Sequence, residues 1–204
     1  MKKHIENIIR SFRSRNIDAV YAETADEAVR YLLSEFESGK TISWGGSMTI
    51  SQLGIKERLA EYGLKVIDRD NAATPEDKHR MQQETFFCDY YLMSSNAITR
   101  DGKLINIDGI GNRVAALIYG PARVFVVVGR NKICDTEAEA LNRVRNIAAP
   151  RNAARLNRET PCVDSGICHD CLEEQSICSH IVVTRKSWHK GRITVVLVDE
   201  ELGL

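Results

Sequence analysis

Apolar residues fall on the chain in two rhythms that alternate from one end to the other. Ile5, Ile8, Ile9 and Phe12 recur at helical spacing and predict an amphipathic opening helix. Asp18–Ala22 predicts a short strand. Thr24, with Glu27 three residues on, resembles a capping box at the start of a helix carrying Ala28, Val29, Leu32, Leu33 and Phe36 on one face. Thr41–Trp44 predicts a buried strand that ends in Gly45-Gly46-Ser47. Leu53, Leu59 and Tyr62 follow in a helical stretch closed by Gly63, and Lys65–Asp68 predicts the next strand. Thr74-Pro75 places an N-cap before a proline at the first helical position, opening a helix to about Phe86.

The second half continues the alternation. Tyr90–Met93 and Val124–Val128 are unbroken apolar runs, the pattern of strands covered on both faces. Between them come Asn96–Thr99, read as loop, a turn at Asp101-Gly102, a strand at Lys103–Ile107 and a helix from about Asn112. Thr136–Ala148 predicts another helix, and Ile181–Thr184 and Ile193–Val198 predict two last strands. Strands and helices alternating at this spacing imply a three-layer α/β/α domain with a mostly parallel central sheet. Neither internal repeats nor a low-complexity linker divide the chain, so residues 1–204 read as a single domain. Its one compositional break is the Arg-, Asn- and Cys-rich segment 150–180.

Charge narrows the class of partner. Lys+Arg and Asp+Glu each total 28, a net charge of zero, which argues against nucleic acid or an acidic membrane as the main partner. No apolar stretch approaches the roughly 20 residues of a membrane span. Met1-Lys2-Lys3-His4 leads straight into the amphipathic pattern with no signal-peptide core, so the expected location is cytoplasmic. Association into a homo-oligomer stays open.

In an open parallel sheet, ligands bind at the carboxyl ends of strands, and three polar segments fall there. In the first, Gly45 and Gly46 let the backbone approach a bound group, while Ser47 and Thr49 offer hydroxyls beside a helix N-terminus. The same segment also reads as a tight turn with Ser47 as N-cap. The second runs from Asn96 through Asp108, Gly109, Gly111, Asn112 and Arg113. An arginine is electrostatically misplaced at a helix N-terminus unless an anion is shared there. We favour that reading over a bare Asp108–Arg113 pair. The third, Asn131 and Lys132 after the strongest strand, adds a basic wall. Together these loops predict a small anionic ligand: a carboxylate, a phosphate or an acyl-CoA.

Six cysteines in a reducing compartment suggest thiols or metal ligands rather than disulfides. Cys162, Cys168, Cys171 and Cys178 lie within seventeen residues, and the inner C-x2-C spacing suits tetrahedral zinc. Four thiolates would equally suit an iron–sulfur cluster. We expect metal there, with redox-labile or plain thiols as the alternative. Cys88 and Cys134 sit beside apolar segments and read as buried small hydrophobes.

Gly45–Thr49, Asn96–Thr99 with Asp101-Gly102, and Asp108–Ala115 resemble the lactate-utilisation (LUD) domain family. Gly120-Pro121, Val128-Gly129 with Asn131-Lys132, the Pro161–Cys178 block and Leu202-Gly203 match its short, single-domain form. The resemblance implies a fold similar to the ribose-phosphate isomerase, glucosamine-phosphate deaminase and CoA-transferase group. It also implies an accessory role in oxidising L-lactate or a similar small organic acid, beside oxidoreductase subunits that carry iron–sulfur clusters. The alternative is a stand-alone transferase or isomerase acting on an acyl-CoA or sugar phosphate. For that role Asp108 is the acid/base candidate by position, and Glu84 stands in no motif that would make it a nucleophile.

Overall fold

The computed structural model describes residues 3–204. Its centre is a six-stranded, wholly parallel sheet in the order β1 (Asp18–Ala22), β10 (Ile193–Val198), β7 (Arg123–Gly129), β4 (Tyr90–Met93), β2 (Thr41–Trp44), β3 (Lys65–Val66). The unbroken apolar runs of β4, β7 and β10 occupy the interior, where both faces are covered. Alternation along β7 divides its side chains between two cores. Phe125 and Val127 join one face, and Val124, Val126 and Val128 join the other.

The first face is covered by α2 (Ala25–Ser34) and the short helices α3 (Met48–Gln52) and α4 (Lys56–Glu61). Thr24 caps α2 by accepting from the Glu27 N–H at 3.2 Å, while the Glu27 carboxylate reaches back to the Glu23 N–H at 2.7 Å. The opposite face receives α1 (Lys3–Ser14) through Ile5, Ile8, Ile9 and Phe12, and α6 (Asn112–Ile118) through Ala116 and Leu117. Helix α5 (Pro75–Glu84), capped by Thr74, buries no side chain and flanks the layers. The expected three-layer α/β arrangement is therefore present.

The pattern along the chain did not announce a second sheet. Residues 97–99, read as loop, form strand β5 (Ala97–Thr99), which pairs with β6 (Leu104–Asp108) and with β8 (Ile133–Cys134); β9 (His180–Thr184) completes the order β8-β5-β6-β9. One face of this small mixed sheet, through Ile98 and Leu104, joins the core under α1. The other, through Ala97, Ile105 and Ile107, packs on α7 (Glu137–Arg143). Strands of two and three residues carry too few positions to display a period, and tertiary pairing decides them.

The expected helix at Thr136–Ala148 also runs further. A π-helical turn at Val144–Ala148 joins α7 to α8 (Ala149–Arg155), so Pro150 lies within the first turn of a new helical segment instead of ending the old one. The wide turn before it gives a proline room where a regular α-helix would set its ring against the carbonyl four residues back. The single turn α9 (Pro161–Ser165) then opens the cysteine-rich loop. Among the described residues, no helix is long and apolar enough to cross a membrane.

Candidate functional site

Because all six central strands run the same way, Trp44, Leu92 and Phe125 lie side by side, and the segments leaving β2, β4 and β7 emerge at one edge. A cavity of about 340 Å³ opens there. Its walls include Gly46, Ser47 and Thr49 after β2, Ser94 to Asn96 after β4, and Lys132 after β7. The second sheet contributes Asp108, Gly109, Asn112 and Arg113 from the end of β6. Most of the loop residues singled out from sequence thus converge on one space.

Three of them do not line it. Gly45 packs beneath the wall, where a Cβ would lie 2.9 Å from both Arg113 Cγ and Tyr91 Oη. Gly111, at φ +83°, turns the backbone into α6 against the His180 ring. Asn131 uses its side-chain oxygen to accept the Leu202 N–H at 3.1 Å, holding residues 199–204 across the strand exit. These are supports of the site. Ser47 does act as an N-cap, accepting from Ile50 N–H at 3.3 Å, and still lines the cavity.

Arg113 and Asp108 do pair, Nε to Oδ2, at 3.2 Å. The guanidinium also donates to Ser94 O, Asn106 Oδ1, Asn96 Oδ1 and Ile107 O at 2.6–3.0 Å. A guanidinium has five N–H donors, and here each nitrogen already has protein acceptors. Burial pushes the Arg113 pKa down and the Asp108 carboxylate opposes that shift. Arg113 therefore ties β4, β6 and α6 together as one wall, and any anion in the cavity is met mainly by other cations.

Those cations come from segments with no motif of their own. Arg69 follows β3, Lys78 lies on α5, and Arg155 and Arg158 lie at and beyond the end of α8; all four line the cavity. The Arg69 side chain is only 12% exposed, its Nε is buried without a hydrogen-bond partner, and its nearest carboxylate oxygen, Asp70 Oδ1, is 3.9 Å away. Against these charges, Asp108 is the one carboxylate side chain in the wall among the described residues. Arg155 and Arg158 fall in the 150–180 compositional break, whose arginine content was the available signal. Arg69 and Lys78 stand in ordinary charged stretches and carry no local signal.

Lys132 is the most unusual group in the wall. It is 4% exposed, and its ammonium lies 2.8 Å from Thr49 Oγ1 and 3.0 Å from Ser94 Oγ, with no carboxylate bonded to it among the described residues. Burial, followed by the nearby Arg143 and Arg113 charges, brings its pKa down to about 7. Arg143 itself lies behind the wall, donating to Asn131 O and Asn96 O.

The four clustered cysteines are half-buried and reduced, while Cys88 and Cys134 are buried as expected. Burial first, and then the Cys168, Cys162 and Cys171 thiols, raise Cys178 to about 11. Yet among the described residues no group of three or more His, Cys, Asp or Glu side chains converges to hold a metal ion. Cys168 Sγ accepts the Asp170 N–H at 3.4 Å, and Cys162 Sγ lies 3.4 Å from the Thr160 hydroxyl. As arranged, these thiols do not form a closed set for zinc or an iron–sulfur cluster. The loop does touch the site, since Ile177 lines the cavity and packs against Gly109.

The model of a protein family described as the LUD domain matches residues 5–198. Among solved structures, a DUF162 family protein from Deinococcus radiodurans is 14% identical with a TM-score of 0.49, over 97% of this chain and 99% of that one. Ribose 5-phosphate isomerase A from Methanocaldococcus jannaschii is 16% identical with a TM-score of 0.38, over 56% of each chain. The isomerase A from Neisseria gonorrhoeae is 15% identical with a TM-score of 0.35, also over 56% of each. A search of curated proteins finds no match.

Proposed function

This chain belongs to the LUD domain family, and from that premise we propose that it binds a small carboxylate or phosphate as an accessory subunit in the oxidation of L-lactate or a similar organic acid. The observation that carries the reading is the cation-lined cavity, above all the buried Arg69 guanidinium with an unpartnered Nε. Asp70, 3.9 Å away, compensates this buried charge only weakly, and a bound anion would add to that compensation while its carboxylate is fixed by paired N–H donors. In this reading the iron–sulfur chemistry of such an oxidation falls to partner proteins.

Calorimetric titration with L-lactate, pyruvate and inorganic phosphate tests the ligand, with binding expected in wild type and lost or strongly weakened in Arg69→Ala. Omitting the protein from a reconstituted lactate-oxidising complex tests the accessory role. Unchanged lactate-dependent reduction of an electron acceptor would refute it. The transferase or isomerase alternative calls for a carboxylate free to attack or to move a proton. Asp108 is held by Arg113 and by the Gly111 N–H at 2.9 Å, and Glu84 pairs with Arg80 outside the cavity, so the geometry favours the binding role.

A further inference from the structure

We propose that Lys132 is a nucleophile that forms a reversible imine with the carbonyl carbon of a 2-oxo acid held in this cavity. The inference rests on the anion-binding reading above and names the ligand class more closely, since the oxidised partner of a 2-hydroxy acid is a 2-oxo acid.

Three features of position support it. Lys132 lies in the cavity wall, at the exit of the central strand β7. Its amine is fixed between the Thr49 and Ser94 hydroxyls, so it cannot sample the many rotamers of a surface lysine. Among the described residues no carboxylate is bonded to it, and the charges that act on it, those of Arg143 and Arg113, are cationic. Asp108, the one carboxylate side chain in the wall among the described residues, is committed to Arg113. Desolvation beside like charges stabilises the neutral amine, the form with a lone pair to donate.

The step balances without an oxidant or reductant. The amine lone pair adds to the carbonyl carbon as the carbonyl π pair moves to oxygen, and a proton passes from nitrogen to that oxygen. The carbinolamine then expels its oxygen, with a second nitrogen-bound proton, as water, leaving a C=N bond. Arg69, Arg155 and Arg158 face the same space and supply the charge that would hold the acid's carboxylate.

The test uses the full chain with pyruvate and cyanoborohydride, which reduces an imine to a stable secondary amine, followed by digestion and mass spectrometry. We expect one reduced pyruvyl group, located on Lys132, and no adduct when L-lactate replaces pyruvate. Lys132→Arg should abolish the adduct while its circular dichroism spectrum matches that of wild type. Pyruvate binding with no adduct, or adducts spread over surface lysines with no excess at Lys132, would overturn the imine and leave the anion site standing. Failure of pyruvate, L-lactate and phosphate alike to bind would remove the underlying reading and the inference with it.

Discussion

Asp108 and Arg113 meet at 3.2 Å across the Gly109–Gly111 turn, and the rest of the Arg113 guanidinium is spent on four oxygens from Ser94, Asn96, Asn106 and Ile107. The pair is the joint between the two sheets. It brings the end of β6 against the end of β4 and fixes the wall that every other cavity residue faces.

A lysine at position 113 keeps the charge but cannot reproduce a planar fork. Arg113→Lys should leave several of those oxygens without a donor and lower stability by about 2–4 kcal/mol. Urea denaturation of the variant checks this, and an unchanged midpoint would contradict the role given to the pair.

Lys132 predicts a pH dependence of stability. Its folded pKa is depressed to about 7 from an ordinary 10.5. Between those values the unfolded chain holds the proton and the folded chain does not, so the contribution of this group to stability rises as pH increases from about 7 to about 10.5. Lys132→Met removes that slope. Thermal melts should therefore show the variant most stabilised relative to wild type at or below about pH 7, with the gap closing as pH rises toward 10.

Gly129 has no room for a side chain. A Cβ there would lie 2.5 Å from Leu202 N, 2.6 Å from Asn131 Oδ1 and 2.7 Å from Glu200 O. Two of these are backbone atoms, so relief requires moving the 199–204 segment away from the strand exit. Gly129→Ala should cost about 1–3 kcal/mol and weaken anion binding with it, as Thr49 donates to Leu202 O at 3.3 Å and accepts from Lys132. Paired calorimetric and denaturation measurements would show whether the two losses travel together.

The thiols predict an order of alkylation. Cys162, Cys168 and Cys171 should react first under native conditions, Cys178 more slowly because burial and its thiol neighbours raise it to about 11, and Cys88 last, at about 12. Mass spectrometry after timed exposure to iodoacetamide reads the order directly. Equal labelling of Cys88 and Cys168 would mean that the core around β4 opens readily.

Short-range features of the chain are what sequence reveals best. The apolar runs of β4 and β7, the threonine caps at Thr24 and Thr74, and the glycine-rich strand exit at Gly45 each act over a few neighbouring residues, so local pattern exposes them. The loops around Thr49, Asn96, Asp108 and Lys132 were legible as strand-end segments because a parallel sheet collects such ends on one side. Strand β5 and the extension through Pro150 were not, because tertiary pairing and a π turn decide them. Nor could spacing show that Arg113 is saturated while Arg69 is not. That difference depends on acceptors drawn from residues 94 to 108, which only the folded chain assembles.

The π turn at Val144–Ala148 has a consequence for how this segment can change over time. Arg143 precedes the turn and is buried behind the site, whereas Asn152 and Arg155 follow it and reach the cavity. Each residue of an α-helix advances the direction of its side chains by about 100°, so the extra residue accommodated in the wide turn sets the phase between those two faces. Substitutions along 144–148 leave that phase intact, but removing one residue would swing Arg155 out of the cavity while Arg143 stayed in place. Evolutionary drift in this stretch should thus be strict toward length throughout, and toward residue type at the buried Val144 and Ala148.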